Sequence, residues 1–248
     1  MKNFFFLFCF LGLFLQSCSF FTQNNEIIIN IEKNITDVKE NINQNIIKDD
    51  LETKNSNLVA DYPSNFMIPI QGACITKNTG LLPGSPRPYR NGTHEGIDFY
   101  NNIACVKIAA GTEVVSVDEG IVIRVDLEYS AMTQDLLDLL SNETSFQFNE
   151  AQKLDIYRGR QIWIEHKLGI ITRYAHLSAI ANDVKLGTQL KKGTVIGYVG
   201  ESGTPESVTD PGTENHLHFE IRKGSKYLGE GKQLDSMYEL YSNFFAPQ

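Results

Sequence analysis

The chain has 248 residues, of which 42% are hydrophobic, and a formal net charge of −8 at pH 7. This length suits one large domain or two small ones with a sizeable core. No basic patch marks a surface for DNA or RNA, so we expect no nucleic-acid partner.

The N-terminus has the features of a secretion signal. Met1, Lys2 and Asn3 are followed by an apolar run, residues 4–15, that is too short to span a bilayer comfortably. The next residues, Leu-Gln-Ser-Cys at 15–18, resemble a bacterial lipobox, although Gln16 departs from the usual small or apolar residue. We predict that residues 1–18 are the signal and that Cys18 is lipid-modified and becomes the first mature residue. The expected location is the cell envelope, with the chain anchored to the extracytoplasmic side of a membrane. The alternative is an ordinary signal peptide cut nearby.

Residues 19–62 differ in composition from the rest of the chain. They are rich in Asn, Ile, Lys, Asp and Glu and contain no Gly. Ile35, Val38, Ile42 and Ile46 recur at helical spacing. We interpret this segment as a tether with one weak helix. The competing interpretation is a helix that packs on the folded domain or on a partner.

Residues 63–248 are predicted to form the folded domain. Short β-branched segments alternate there with glycine-containing turns, and this pattern indicates an antiparallel β-domain that is sandwich-like or barrel-like. The predicted strand segments are 67–70, 114–117, 120–125, 161–166, 169–175, 194–199 and 215–221.

A helical insertion interrupts this β pattern at about residues 127–160. Leucines at 136, 137, 139 and 140 predict one helix over 135–140, and a second is predicted over 149–157 with Asn149 as its N-cap. Because insertions are tolerated at loop tips, we expect the pair at the rim of the sheet.

The most informative strand is the segment around residues 215–221. Leu217, Phe219 and Ile221 alternate with His216, His218 and Glu220, so the strand has one apolar and one polar face. His216 and His218 therefore project side by side. Such a pair can bind one metal together, or one imidazole can bind it while the other handles protons.

Two upstream segments carry further candidates. His94 and Asp98 stand four residues apart, and Gly92 and Gly96 indicate a loop entering a strand rather than a helix. Imidazole nitrogen and carboxylate oxygen are ordinary zinc ligands. His176 ends another strand-like run. Each of these segments alone is also compatible with a loop or strand-end histidine that has no function.

Taken together, the order His-x3-Asp, then Tyr-x-His-Leu, then His-Leu-His-Phe-Glu resembles the LytM/lysostaphin-type zinc metallopeptidases. The likeness covers roughly residues 66–223. The resemblance implies that His94, Asp98 and His218 hold one Zn²⁺ per chain, and that His176 and His216 are the catalytic histidines beside the metal. His166 has no role in the family and is expected to be structural or exposed.

The implied activity is hydrolysis of peptide bonds in bacterial peptidoglycan, as an endopeptidase or a carboxypeptidase. Three protein ligands leave a fourth position for water, whose pKa zinc lowers toward neutrality. The expected partners are peptidoglycan stem peptides or cross-links, a membrane reached through the N-terminal lipid, and a regulatory protein. The alternative function is a catalytically silent LytM-like domain that binds and activates another cell-wall hydrolase. The presence of all five site residues favours the enzyme.

Three features flank the expected cleft and depart from the minimal family domain: a Pro-rich loop at 82–90, the insertion, and a lengthened loop carrying Cys105. Residues 200–214 are predicted to form a loop over one side of the groove. In an oxidising compartment Cys74 and Cys105 are expected to form either one disulfide or two buried thiols, and we predict the disulfide.

Overall fold

The computed structural model describes residues 65–141 and 148–245. The predicted signal, the lipobox cysteine Cys18 and the tether at 19–62 lie outside these residues. Within the described ranges, no helix is both long enough and apolar enough to cross a membrane.

The described part of the chain is mainly β. Its strands are β1 (Pro86–Arg87), β2 (Gly92–Thr93), β3 (Ile97–Tyr100), β4 (Glu113–Val115), β5 (Gly120–Val125), β6 (Ile162–Glu165), β7 (Ile170–Ala175), β8 (Leu177–Ile180), β9 (Gln189–Leu190), β10 (Val195–Val199), β11 (His216–Lys223) and β12 (Lys226–Tyr227). The α-helices are α1 (Gln134–Ser141), α2 (Glu150–Arg158), α3 (Glu206–Thr209) and α4 (Met237–Ser242). Short 3-10 helices cover Thr79–Leu81, Pro88–Arg90, Lys167–Gly169 and Leu234–Ser236.

All strand pairs between these elements are antiparallel. The largest sheet has the order β12-β11-β7-β6-β5-β9, with β3 also paired to β11. A second sheet has the order β4-β10-β8, and β1 pairs with β2. The described strands form open sheets and close no barrel. The predicted antiparallel β fold is therefore confirmed.

Strand β11 is the centre of the architecture. It pairs with β7 along one edge and with β3 and then β12 along the other. Leu217, Phe219 and Ile221 are fully buried in the core. The alternate residues His216, His218 and Glu220 are buried too, so the polar face of this strand does not face bulk solvent. The predicted alternation is present, but both faces are covered.

One hydrophobic core joins the two larger sheets. It contains Val114, Leu177 and Ile196 from the three-stranded sheet together with Ile164 and Phe219 from the largest sheet. Packing of this kind supplies most of the favourable free energy of folding. The sheet that carries the polar face of β11 is thus backed by a solid core.

The predicted helical insertion is confirmed. It connects β5 to β6, which are neighbours in the sheet, and consists of α1 and α2. Asn149 caps α2 in a complete capping box with Gln152, which explains why the helix begins there. Together with Val208 of α3, the insertion has a small core of its own, built on Met132, Leu137, Leu140 and Tyr157.

Two further expectations have clear outcomes. Residues 67–70 form no strand, so that prediction is wrong, although Ile68 and Ile70 are buried. Pro69 lacks the N–H that a ladder position needs, and its carbonyl instead accepts from Val115 N. Cys74 and Cys105 are joined in a disulfide, with their Cα atoms 5.5 Å apart.

Candidate metal centre and cleft

Pairing of β3 with β11 brings two of the candidate ligands together. In that register Asp98 lies directly opposite His218. His94 comes from the loop between β2 and β3, and this loop is fixed by backbone hydrogen bonds from His94 N to Ser85 O and from Gly84 N to His94 O. The His94 side chain is thereby held over the same end of the β3–β11 pair.

Three side-chain atoms from these residues meet at one point. His94 Nε2 lies 2.9 Å from Asp98 Oδ1 and 3.0 Å from His218 Nδ1. His218 Nδ1 lies 2.8 Å from Asp98 Oδ1. All three residues are buried, and they form the group of potential metal ligands found among the described residues.

The outer nitrogens of the two rings determine which tautomers are present. His94 Nδ1 contacts Leu82 O at 3.1 Å, and His218 Nε2 contacts Glu220 Oε1 at 3.0 Å. Because a carbonyl and an ionised carboxylate oxygen only accept, these outer nitrogens carry the protons. The inner nitrogens of the neutral rings then present lone pairs, as does Asp98 Oδ1.

This donor set fits a divalent cation. Three electron-rich atoms within 3.0 Å of one another repel unless a positive charge lies among them. Two imidazole nitrogens and one carboxylate oxygen, with the outer N–H groups held by acceptors, are typical of zinc sites. His94, Asp98 and His218 therefore have the chemistry to hold Zn²⁺.

The ionisation of Asp98 agrees with that conclusion. Burial would raise the pKa of Asp98, but the neighbouring histidines, His94 foremost, hold that pKa well below its usual range. Burial lowers the pKa of His94, against the opposing effect of Asp98. Burial would also lower the pKa of His218, yet its hydrogen bonds to Asp98 and Glu220 raise it. Asp98 therefore stays ionised near neutral pH.

His176 and His216 lie beside the cluster rather than in it. Their ring centroids are 4.6 Å apart, and His216 Nε2 is 3.8 Å from Asp98 Oδ1. His216 Nδ1 donates to Glu214 O (2.6 Å), and His176 Nδ1 donates to Ser202 O (2.8 Å). Burial lowers the pKa of both rings, so each is neutral near pH 7 with its Nε2 lone pair unused by these contacts.

A buried ionic network lies behind His218. Glu220 is fully buried and accepts from Arg158 Nε (2.6 Å) and Arg222 Nη1 (2.8 Å). Glu95 accepts from the same two guanidinium groups, at 2.7 and 2.6 Å. Burial would raise the pKa of Glu220, but Arg158 foremost, then His218 and Arg222, hold it well below its usual range. An ionised Glu220 fixes the ring of His218 through Nε2.

Two residues at the cluster were not found by sequence reasoning. Arg87 Nη2 donates to the outer oxygen of Asp98 (3.1 Å), and its Nη1 donates to Ser85 Oγ (2.6 Å). Tyr100 stacks on the His216 ring. Arg87 lies in the Pro-rich loop that the sequence marks as unusual, but nothing in the pattern says where its side chain goes. Tyr100 ends β3, two residues after Asp98, and that spacing was the available signal.

The cluster lies in a cleft of about 550 Å³. The Pro-rich loop contributes Arg87, Tyr89 and Arg90 to its lining. Tyr89 makes an edge-on ring contact with Tyr157 of the insertion. The predicted loop at 200–214 lines another side, with Thr204, Pro205, Glu206 and Glu214. Two of the three features that depart from a minimal domain, the Pro-rich loop and the insertion, therefore line this cleft directly.

The remaining predicted residues lie away from the cluster. His166 is buried against Phe66 and contacts Glu119 O and Thr172 Oγ1, so it is structural. Tyr174, which precedes His176 by two positions, is buried in the core and accepts from Val117 N through its hydroxyl.

Comparison with known proteins finds a match between residues 147–234 and the family model described as peptidase family M23. The matched segment contains His176, His216 and His218, and His94 and Asp98 precede it. A zinc-containing peptidase from Vibrio cholerae has a similar solved structure, with 25% identity and a TM-score of 0.43, covering 66% of this chain and 39% of that one.

Two curated relatives are also similar in sequence. An uncharacterised metalloprotease of Buchnera aphidicola subsp. Baizongia pistaciae (strain Bp) is 27% identical over 137 residues, 55% of this chain. The cell division protein DipM of Caulobacter vibrioides (strain NA1000 / CB15N) is 35% identical over 77 residues, 31% of this chain. The match spans 25% of the length of the first relative and 11% of the second.

Proposed function

We propose that this chain is a zinc metallopeptidase that hydrolyses peptide bonds in bacterial peptidoglycan, and the match of residues 147–234 to the model of peptidase family M23 supports this. The observation that carries the proposal is the meeting of His94 Nε2, Asp98 Oδ1 and His218 Nδ1 at one point, with all three residues buried. The proposal includes secretion and a lipid anchor at Cys18, supported by the N-terminal sequence alone.

The residues of the site have two roles: three of them hold the ion and two transfer protons. His94, Asp98 and His218 hold the ion. When bound, Zn²⁺ supplies Lewis-acid polarisation of a carbonyl and makes water acidic near neutral pH. Asp98 contributes one negative charge, so the centre keeps net positive character and favours an oxyanion in the transition state.

His176 and His216 are the groups that move protons. Each donates through Nδ1 to a backbone carbonyl, which fixes the ring and leaves Nε2 as the basic atom. Because burial lowers the pKa of both rings, they are neutral near pH 7 and able to accept a proton. One Nε2 accepts a proton from the attacking water, and protonated imidazole then delivers one to the leaving amine.

The lining of the cleft is compatible with a peptide substrate. It combines aromatic rings, Tyr89 and Tyr157, with charged groups such as Arg90 and Glu206. Aromatic walls with a few polar groups that fix the orientation of a ligand are common in binding clefts. Peptidoglycan stem peptides and cross-links are the proposed substrates.

Zinc content of the purified protein, paired with mass spectrometry of peptidoglycan fragments, tests this function. We expect about one zinc per chain and new peptide ends whose masses identify the bond that is cut. Protein that holds no zinc and cuts nothing, yet increases wall cleavage by a second hydrolase, would overturn the proposal in favour of the activator function.

A further inference from the structure

The helical insertion ends in contact with two site histidines. Its last helical residue is Arg158, at the C-terminus of α2. The Arg158 carbonyl accepts the backbone N–H of His176 (2.9 Å). The Arg158 guanidinium donates through Nε to Glu220 Oε1, and that same oxygen accepts from His218 Nε2. Arg158 is thus linked to His176 by one hydrogen bond and to His218 by two hydrogen bonds that meet at Glu220 Oε1.

The backbone around Arg158 leaves little freedom for this arrangement. Gly159 has a φ of 65°, and a Cβ there would lie 2.1 Å from Ser202 O, so only glycine fits. Arg160 N donates to Ser202 Oγ (2.9 Å), and Ser202 O accepts from His176 Nδ1. The end of α2 and residue 202 therefore enclose His176, which itself has a left-handed φ of 60°.

The charges make Arg158 difficult to replace. Its side chain is 6% exposed, and Glu220 is 0% exposed. Glu95 and Glu220 are two carboxylates facing Arg158 and Arg222, with Arg173 Nη1 at 3.5 Å from Glu220. Without Arg158, Glu220 loses the partner that holds Oε1 toward His218 and turns toward Arg222 and Arg173. His218 Nε2 then loses its fixed acceptor, and the ring can rotate Nδ1 out of the cluster.

We propose that Arg158 is a positioning residue that sets the affinity of the metal centre, holding His218 through Glu220 and His176 through its own carbonyl. The insertion is then part of the active-site machinery as well as a wall of the cleft. This inference rests on the proposed function, because it concerns the same cluster.

The test compares two arginines that both tie α2 to the sheet. Arg158→Gln removes the contact to Glu220. Arg124→Gln is the matched control, because Arg124 of β5 binds Asp155 of α2 (2.6 Å) and touches none of the site histidines. Zinc affinity and the visible absorption spectrum of the Co²⁺-substituted full-length protein are measured for wild type and both variants. Melting temperatures of the metal-free proteins report the purely structural loss.

We expect Arg158→Gln to weaken zinc binding by about 10- to 100-fold and to change the Co²⁺ spectrum. Arg124→Gln should lower the melting temperature and leave both metal readouts at the wild-type values. If Arg158→Gln fails to fold, the double change Arg158→Gln with Glu95→Gln removes one cation and one anion together, and the same loss of affinity is expected from it.

Unchanged zinc affinity and an unchanged spectrum in the folded Arg158 variant would overturn this inference and leave the proposed function intact. Equal weakening in the Arg124 variant would also overturn it, since the effect would then come from loosening α2. Wild-type protein that binds neither Zn²⁺ nor Co²⁺ would overturn the proposed function together with the inference.

Discussion

The ring of Tyr100 lies flat on the ring of His216, with centroids 4.2 Å apart and planes 12° from parallel. The Tyr100 hydroxyl donates to the Glu214 carboxylate (2.6 Å), and the Glu214 carbonyl accepts from His216 Nδ1 (2.6 Å). Tyr100 thus holds His216 by its ring and also secures the residue to which His216 donates. Burial raises the pKa of Tyr100, so its hydroxyl remains a donor at neutral pH.

Tyr100→Leu removes both the stack and the hydroxyl. We expect kcat for peptidoglycan hydrolysis to fall by about 10- to 100-fold with zinc content unchanged, since the ligands are untouched. Tyr100→Phe keeps the ring and should lose less. Equal activity in the Leu variant and the wild type would mean that His216 needs no support from Tyr100.

The ligand assignment predicts different results for the two histidines of β11. His218→Ala, like His94→Ala, should lose zinc and activity together. His216→Ala should keep zinc and lose about 10²- to 10⁴-fold in turnover, which is the typical contribution of a general acid or base. Metal analysis beside kinetics separates these outcomes. If His216→Ala loses zinc while His218→Ala retains it, the assignment of the pair is reversed.

Gly96 allows β3 to approach β11 closely at the cluster. A Cβ at this position would lie 2.5 Å from Phe219 O and 2.9 Å from His218 Nε2. Gly96→Ala should therefore displace the His218 ring, weaken zinc binding, and lower the free energy of unfolding by about 1–3 kcal/mol through overpacking. Gly111→Ala is the control, because its φ is +86° but no atom lies within 4 Å of the added carbon. It should cost about 1–2 kcal/mol of stability and leave zinc affinity unchanged.

The sequence predicts the structure well where residues close together in the chain decide the local conformation. Asn149 identifies the start of α2, and the alternation at 216–221 identifies β11. Long-range placement is different. The meeting of Arg158 with Glu220 joins residues 62 positions apart, and no local pattern encodes it.

Strands β8, β9 and β12 are not predicted, because their local sequence carries no clear strand pattern. β8 follows His176 directly, and the left-handed φ of His176 breaks the ladder between β7 and β8 without a glycine to mark the break. β9 and β12 have only two residues each, too few for a periodic signal. For the cluster, the residue types identified His94, Asp98 and His218 as candidates. The sequence does not identify Arg87, because its contact with Asp98 depends on how the Pro-rich loop folds back.

His166 gives the stability a predictable pH dependence. Burial lowers its pKa below that of the unfolded chain, which is about 6.5. The unfolded state therefore binds more protons as pH falls through that value, and stability present above it is lost toward the lower folded pKa. Urea unfolding of zinc-loaded protein between pH 5 and 7.5 should show a decline at acid pH. His166→Gln should flatten that decline by at most about 1.4 kcal/mol per pH unit. An identical decline in the variant would assign the effect to other groups.

The Cys74–Cys105 disulfide closes a segment with a sequence separation of 31 that contains β1, β2, β3 and two of the candidate ligands. Replacing both cysteines by serine should lower the free energy of unfolding by about 2–4 kcal/mol, because the unfolded chain regains freedom. Chemical denaturation measures the loss. Each single replacement should match the double one, and a thiol count that does not rise on reduction of the wild type would contradict the bond.

The two halves of the cluster stand far apart along the chain, since 124 positions separate His94 from His218. Contacts between such distant positions form late, because a long loop must close before they stabilise anything. A chain that lacks β11, or whose β11 has slipped in register against β3, cannot bring the three atoms together. The metal centre that these atoms form is therefore available only in a chain that is fully synthesised and correctly paired.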